Sequence, residues 1–299
     1  MAATVRYWKA GSTDINQAAS WHDGTGGSSA VPLVSNIVYW TEGSDTVTSG
    51  LTALSGVALQ YFAINQGASP RIGGNGSSLL LSVNTNGAGQ YADHLFVYAA
   101  SGGYAYVKAA DGGIGVVRVE GAGHLYLTGG TINTGIQVIK GELDVGDSVD
   151  LSNKTVEIWG GNTVIAHKAD ATDPTITVWG GTVLLRRPSG TLTVNGGHVI
   201  LQVEKETNAA ATLTINGGMV DWRAGSIGTA LNLNGGKLTF KNAIRPINLA
   251  SATVTAADTE IDGMTAPGAK VTWPDAANIV YKAGNAAAVF ARSAGADVA

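Results

Sequence analysis

A ten-residue unit occurs three times in the second half of the chain, and no other feature of the sequence restricts the fold as strongly. The copies begin at Leu192, Leu213 and Leu231, and each has Asn-Gly-Gly at its centre. On either side of this tripeptide the apolar residues alternate with polar ones, which is typical of a β-strand. Asn and Gly tolerate the positive φ of a tight corner. Each copy therefore predicts a strand, a corner and a second strand.

The second glycine of this unit marks a repeat that runs along most of the chain. Successive markers are 16 to 21 residues apart, about nineteen on average. Self-similarity at such a period is typical of a solenoid. No apolar stripe with helical spacing fits between the markers, so we expect the turns of the solenoid to consist of strands. The predicted corner glycines are Gly141, Gly161, Gly181, Gly197, Gly218 and Gly236, with fainter markers at Gly103, Gly123 and, in degenerate form, Ala257.

The period predicts an all-β fold, a right-handed parallel β-helix with about nineteen residues per turn. Each strand would pair with the equivalent strand of the next turn, about 4.8 Å away. The right-handed sense is taken from the usual chirality of strand crossovers. Equivalent residues of successive turns should then form columns, as in-register stacking favours. The alternative is an antiparallel sandwich with glycine-rich hairpins, and the nearly constant period argues against it. The expected columns are Trp159 with Trp179, then Asn195, Asn216 and Asn234 in the same slot, and an outward column of Thr177, Thr193 and Thr214.

The chain is predicted to have three segments, which are defined by where the repeat period holds and where it does not. Residues 61–265 would form the β-helix, its first turns irregular. Residues 1–60 do not follow the period and hold three of the seven tryptophans, and we expect a non-repetitive β cap there because a solenoid end exposes strand edges. Residues 266–299 would form a short C-terminal extension. Its alanine-rich run at 286–291 suggests a short helix or strand that closes the end or crosses to a neighbouring subunit.

Composition restricts the classes of partner. The formal net charge is −4 and only 13% of the residues are charged, which is a low fraction for a soluble monomer and suggests a surface that is either buried in an oligomer or covered by Thr, Ser and Asn. There is no basic run, no apolar run of spanning length and no signal peptide, so we expect neither nucleic acid nor a membrane as partner. The protein would be made in the cytoplasm or leave it by a route not encoded at its N-terminus. The chain has no cysteine, which excludes disulfides and thiolate metal sites.

The opening of the chain carries a loose set of aromatic and turn residues. They are Trp8, Gly11-Ser12, Asn16, Ser20-Trp21, Pro32, Val38-Tyr39 and the run from Thr46 to Leu51, followed by glycine-rich β repeats. This opening resembles those of tailed-bacteriophage virion proteins. The resemblance implies a structural virion protein, best matched by a capsid decoration (cement) protein that forms a homotrimer on the capsid exterior and contacts the major capsid protein. It implies no catalytic residues and no cofactor.

The docking residues are expected among the N-terminal aromatics. The residues predicted to contact the capsid shell are Tyr7, Trp8, Trp21, Tyr39 and Trp40. An alternative function is that of a tail fibre or tailspike segment which binds host glycan, with Trp159 and Trp179 as the exposed aromatics. A third possibility is a polysaccharide lyase, because parallel β-helices are often such enzymes.

Acidic and histidine side chains are the candidates for catalytic or metal-binding residues. His124 and Glu142 fall in the same slot of successive turns, which we interpret as chance adjacency on a solvated face. The other histidines show no metal-binding spacing, and we expect no metal site. The nearly constant turn length leaves little room for catalytic loops, so the sequence predicts that the protein is not an enzyme. Two acidic runs do not predict a site. The first would scatter over both faces of a strand instead of forming a calcium cage, and the second lies in the most degenerate turn without an aromatic platform for glycosidase chemistry. The runs are Asp144, Asp147 and Asp150, and Asp258, Glu260 and Asp262.

Overall fold

The computed structural model describes residues 4–24, 30–84, 94–168, 173–187, 189–203 and 208–244, together with short strands between 247 and 281. In this part of the chain the secondary structure is all-β apart from one 3₁₀ turn, Ala18–Ser20. The strands stack as a β-solenoid of about 9 turns, which confirms the predicted fold class. The chain divides into two compact units, Met1–Lys154 and Thr155–Ala299, and each is described by itself.

The first unit contains thirteen of the described strands, most of them short. They are β1 (Val5–Trp8), β2 (Trp21–His22), β3 (Ile37–Trp40), β4 (Thr46–Val47), β5 (Ala58–Leu59), β6 (Tyr61–Ile64), β7 (Arg71–Ile72), β8 (Leu79–Val83), β9 (His94–Val97), β10 (Tyr104–Val119), β11 (His124–Val138), β12 (Glu142–Val145) and β13 (Val149–Asp150).

Three columns of parallel strands build this unit. The first column runs through β1, β3, β6, β9 and the ends of β10 and β11. The second joins β4, β7, the starts of β10 and β11, and β12. The third joins β5, β8, the middles of β10 and β11, and β13. Strands β10 and β11 are long because each bends around a corner from one column to the next.

The parallel columns extend into the segment predicted as a cap. Strand β3 pairs in parallel with β6, and this step advances the chain by 24 residues, from Ile37 to Tyr61. Turns of this length escape a search for a nineteen-residue period. Among the described strands of this unit, only β2 departs from the pattern, because it pairs antiparallel with β1 and places Trp21 opposite Trp8. The division into three segments otherwise stays a prediction.

The second unit contains the regular turns. Its strands are β14 (Thr155–Ile158), β15 (Asn162–Ile165), β16 (Thr175–Val178), β17 (Thr182–Leu185), β18 (Ser189–Val194), β19 (His198–Gln202), β20 (Asn208–Ile215), β21 (Met219–Ala224), β22 (Ser226–Leu233), β23 (Lys237–Thr239), β24 (Ile247–Asn248), β25 (Thr253–Ala256), β26 (Glu260–Asp262), β27 (Val271–Thr272) and β28 (Ile279–Tyr281).

Two parallel columns run through the second unit. One joins β14, β16, β18, β20, β22, β25 and β28, and the other joins β15, β17, β19, β21, β23 and β26. Apart from register shifts between β19 and β21 and between β20 and β22, the pairing is in register, so Thr177, Thr193 and Thr214 are direct neighbours, as predicted. Strand pairing does not define the hand of the coil, and the right-handed sense stays a prediction.

Alternating side chains fill the interior of each unit. In the second unit the inward positions of the first column are completely buried from turn to turn. Burying such aliphatic side chains contributes roughly 1.5–3 kcal/mol each. The two inward rows are Val156, Ile176, Leu192, Leu213 and Leu231, and Ile158, Val178, Val194, Ile215 and Leu233.

The corner glycines lie one above another, as the repeat predicts. Gly161, Gly181 and Gly197 have φ of 76°, 77° and 75°. A Cβ added to Gly197 would lie 2.6 Å from the carbonyl oxygen of Gly181. Backbone therefore packs directly on backbone at this corner, and both the positive φ and the lack of space demand glycine. Gly218 and Gly236 continue the stack with φ of 70° and 75°. In the first unit, Gly141 has a φ of 93° and packs on the backbone of the preceding turn.

Candidate functional site

The three tryptophans of the predicted docking segment lie in the core of the first unit. Trp8, Trp21 and Trp40 are all fully buried. The ring of Trp8 stacks on Trp40 with centroids 4.0 Å apart and meets Trp21 edge-on at 5.1 Å. The indole nitrogen of Trp8 donates to Asp45 Oδ2 at 3.0 Å, and that of Trp21 donates to the carbonyl oxygen of Ile15 at 2.9 Å. These side chains fill the first turns and present no surface to a partner.

Tyr7 and Tyr39 are the two members of the predicted docking set that reach the surface. They follow one another in the first column, with stacked rings 5.6 Å apart, and the ring of His22 stacks on the other side of Tyr7 at 5.5 Å. Burial, followed by the charge of Tyr7, raises the pKa of the Tyr39 phenol. Contact with a capsid shell stays a prediction, and only these two rings of the five can make it.

A cluster of aromatic and acidic side chains lies on the outward face of the second column in the first unit. His124 Nδ1 lies 2.9 Å from Glu142 Oε2, and its Nε2 lies 3.3 Å from Asp144 Oδ2. The imidazole stacks on Tyr126 at 3.8 Å, and Tyr126 stacks on Tyr106 at 4.2 Å. The adjacency predicted for His124 and Glu142 is thus a direct contact. Because its ring face and both nitrogens are engaged with the protein, the imidazole is positioned mainly by these neighbours.

Tyr126 takes its electrostatic character from this cluster. Burial raises the pKa of its phenol, and the charges of Tyr106 and Asp144, a hydrogen bond to the Tyr106 side chain and the charge of Glu142 raise it further. All of these groups disfavour the phenolate. The cluster therefore holds Tyr126 as a neutral hydrogen-bonding group and not as a proton acceptor.

The acidic residues considered for calcium do not converge in the structure. Asp144 faces His124 from β12, Asp147 lies in the following turn beside Ser148, and Asp150 accepts a hydrogen bond from the Ser152 backbone at 2.9 Å. Within the described ranges, no group of three or more histidine and acidic side chains could hold a metal ion. Asp258 lies outside the described residues, whereas the backbone of Glu260 and Asp262 belongs to β26.

A ladder of aromatic and polar side chains runs alongside the stacked glycine corners of the second unit. Trp159 and Trp179 stack with centroids 5.0 Å apart, as predicted, and each remains about half exposed, at 48% and 46%. One turn further, Asn216 Nδ2 donates to Asn195 Oδ1 at 2.8 Å, and Asn234 Nδ2 donates to Asn216 Oδ1 at the same distance. This ladder lines one edge of the unit and ties neighbouring turns together.

A shallow pocket lies on the second column of the second unit, where sequence reasoning identified no site. Its volume is about 510 Å³, and its lining is Gln202, Arg223, Asn242, Ala243 and Ile244. The sequence of β21 keeps the regular alternation of apolar and polar residues, but the structure buries three consecutive residues there, at positions 220–222. The middle one, Asp221, occupies the slot held by Ile200 in the preceding turn.

No protein-family model, curated protein or solved structure matches the chain. The residues that the structure describes contain no helix long and apolar enough to cross a membrane.

Proposed function

We propose that the chain is a structural protein of a tailed-bacteriophage particle, an external decoration protein that stabilises the capsid as a homotrimer. The observation that carries the mechanical part of this proposal is the direct packing of backbone on backbone at the corners, for example Gly197 on Gly181. The virion itself is proposed from the resemblance of the residues between Trp8 and Leu51 to openings of phage virion proteins.

The stacked turns suit a mechanical role because each strand inside a column is hydrogen-bonded on both sides. Opening one turn would break two backbone ladders and expose its inward side chains, which are completely buried in rows such as Ile176, Leu192 and Leu213. Local opening therefore costs much of the stability of the neighbouring turns. A shell under internal pressure gains from attached proteins of this kind, because they resist deformation without changing shape.

An outward aliphatic column supports self-association. Val164, Leu184 and Ile200 are direct neighbours in register on the outer face of β15, β17 and β19, and each is only half-buried. Solvent-facing positions in the other column carry Thr177 and Thr193. The three side chains form one contiguous apolar patch that is partly accessible to solvent, and apolar surface patches often mark interaction sites. We assign this column to the contact between copies of the chain in the trimer.

Particle stability tests the proposed function. Particles assembled without the chain would be incubated with purified protein, and DNA release would be followed during heating. Decorated particles should release DNA at a higher temperature than bare ones, and a Tyr7→Ala/Tyr39→Ala variant should bind the shell less tightly. Failure of the wild-type protein to bind filled capsids, or binding without any change in release temperature, would reject the proposal.

The half-exposed pair Trp159 and Trp179 favours glycan binding as the second candidate function. Aromatic rings provide large contact area for ligands. In this pair, however, the two rings stack on each other with an interplanar angle of 11°, so each ring has one face covered by its partner. A sugar could therefore stack on no more than one face of each ring. Loss of glycan binding in a Trp179→Ala variant would support this candidate over the structural one.

A further inference from the structure

The pocket on the second column of the second unit is formed by a strand irregularity and a turn. Strand β21 pairs with β19 in register up to Trp222, which lies opposite Leu201, whereas Gln202 lies opposite Ala224. Arg223 is therefore the extra residue of a β-bulge. Bulges redirect a side chain out of the regular pattern and are frequent beside functional sites.

The turn after β23 closes the other side of the pocket and is fixed to the same strand. The backbone nitrogen of Ile244 donates to the carbonyl oxygen of Arg223 at 2.8 Å, and that of Ala243 donates to the carbonyl oxygen of Phe240 at 3.0 Å. Ala243 is buried, whereas Ile244 is 62% exposed. The lining is thus held by backbone hydrogen bonds and is formed before any ligand arrives.

A buried carboxylate behind the pocket orients its polar groups. The side chain of Asp221 is only 3% exposed. Its Oδ2 accepts from Arg223 Nε at 2.9 Å, from Arg223 Nη2 at 2.8 Å and from Asn242 Nδ2 at 3.0 Å. Asp221 Oδ1 is buried and has no hydrogen-bond partner among the described residues. A carboxylate buried in this way is costly unless it is paired, so its presence fixes the guanidinium and the amide in one arrangement.

The polar groups of the lining match the hydroxyl groups of a sugar. Arg223 donates to Asp221 through Nε and Nη2, and it lines the pocket together with Gln202 and Asn242. The guanidinium carries hydrogen-bond donors only, whereas each of the two amides carries both a donor and an acceptor. Ala243 and Ile244 add an apolar surface suited to the C–H face of a pyranose ring. Ligand pockets commonly measure 300–1,000 Å³, and this one falls within that range.

Charge argues for a neutral ligand. The guanidinium of Arg223 is already paired with the buried carboxylate of Asp221, so the pair carries no net charge. The other described lining residues, Gln202, Asn242, Ala243 and Ile244, carry no charge. Among the lining residues that the structure describes, a phosphate or sulfate group would therefore meet no uncompensated cation.

We propose that this pocket binds a neutral hexose unit of a glycan, with Gln202, Arg223 and Asn242 as hydrogen-bonding residues and Asp221 as the positioning residue. The site is separate from the Trp159–Trp179 stack and does not depend on the location of the protein in a particle. The described lining residues include no aromatic platform, which predicts weak, millimolar binding of a single unit.

The test is saturation-transfer NMR and titration with the full chain. The probes are the methyl glycosides of glucose, galactose and mannose, with glucuronate and inorganic phosphate as charged probes. At least one neutral glycoside should bind, and Gln202→Ala and Arg223→Lys should each weaken binding at least tenfold. Trp159→Ala should leave binding unchanged and serves as the matched control on the same unit. Circular dichroism would verify that every variant is folded.

Three results would overturn the proposal. The first is that no neutral glycoside binds to the folded wild-type chain. The second is that only glucuronate or phosphate binds. The third is that binding survives Gln202→Ala and Arg223→Lys but is lost in Trp159→Ala, which would move the site to the tryptophan stack. None of these results bears on capsid stabilisation, which the heating experiment tests independently.

Discussion

At the scale of single residues, the corner glycines combine two requirements. Gly197 needs a positive φ of 75°, and it also needs the space that a side chain would take from Gly181 of the preceding turn. The left-handed conformation costs a non-glycine residue roughly 1–2 kcal/mol. The steric overlap adds to this cost, because the atoms in the way belong to backbone and cannot rotate aside.

Substitution of a corner glycine separates these two effects. Gly197→Ala should lower the free energy of unfolding by about 2 kcal/mol or more, because it adds backbone overlap to the cost of positive φ. Gly102 is the matched control, since its φ is 83° but an added Cβ would meet nothing within 4 Å. Gly102→Ala should cost only about 1–2 kcal/mol. Denaturant unfolding measures the free energy of unfolding of both variants. Equal losses of stability in the two variants would argue against stacked corners.

The phenol of Tyr126 makes stability depend on pH in the alkaline range. Burial and the surrounding charges of Tyr106 and Asp144 raise its pKa in the folded state, so the folded protein favours the neutral phenol. This contribution to stability is complete below the unfolded pKa of about 10 and is lost as the pH rises through the higher folded value. Unfolding measured between pH 9 and 12 should show a steeper loss for wild type than for Tyr126→Phe. Parallel curves would contradict the assignment.

At the scale of elements, equivalent side chains of successive turns tie the strands together. Asn216 takes part in two bonds of the ladder, whereas Asn195, at its end, takes part in one. Asn216 is exposed and Asn195 is half-buried, so each bond contributes near the lower end of the usual 0.5–1.5 kcal/mol.

The loss of stability should increase with the number of ladder hydrogen bonds that a substitution removes. Asn216→Ala should destabilise the second unit by about 1 kcal/mol, and Asn195→Ala by about half as much, because the first removes two bonds and the second removes one. Thermal unfolding monitored by circular dichroism measures the difference. A larger loss for Asn195→Ala than for Asn216→Ala would contradict the ladder.

Sequence reasoning predicted the elements wherever one turn repeats the next. The in-register pairing of Trp159 with Trp179, and of the asparagines, followed from a constant period because identical slots must meet. It missed the longer turns of the first unit, such as the 24 residues from Ile37 to Tyr61, since their period differs. The burial of Trp8 could not be predicted either, because aromatic composition alone does not distinguish a side chain of the core from a side chain on a docking surface.

The pocket at Arg223 could not be predicted for a related reason. It requires a bulge between two turns and a later turn that folds back over the same strand. The residues involved are distant in sequence and individually ordinary. The sequence gives one hint of this pocket. The outward slot that Ile200 holds in one turn is held by the polar residue Asp221 in the next turn.

At the scale of the whole molecule, the outward aliphatic column is the proposed contact between copies in the trimer, and substitutions in this column test the assembly. Leu184→Glu and Ile200→Glu should each convert the trimer to monomers, because a charge buried at a contact between copies is costly. Thr193→Glu, on the outward face of the other column, should leave assembly unchanged. Sedimentation velocity measures the mass of each species. A wild-type trimer that withstands both substitutions would show that the contact lies elsewhere.

The most direct test of the account is a cryo-electron microscopy reconstruction of particles assembled with and without the chain. We predict difference density on the outer surface of the capsid, arranged around threefold positions, with stacked parallel strands about 4.8 Å apart. Density confined to the tail, or the absence of any difference on the shell, would contradict the proposed decoration role.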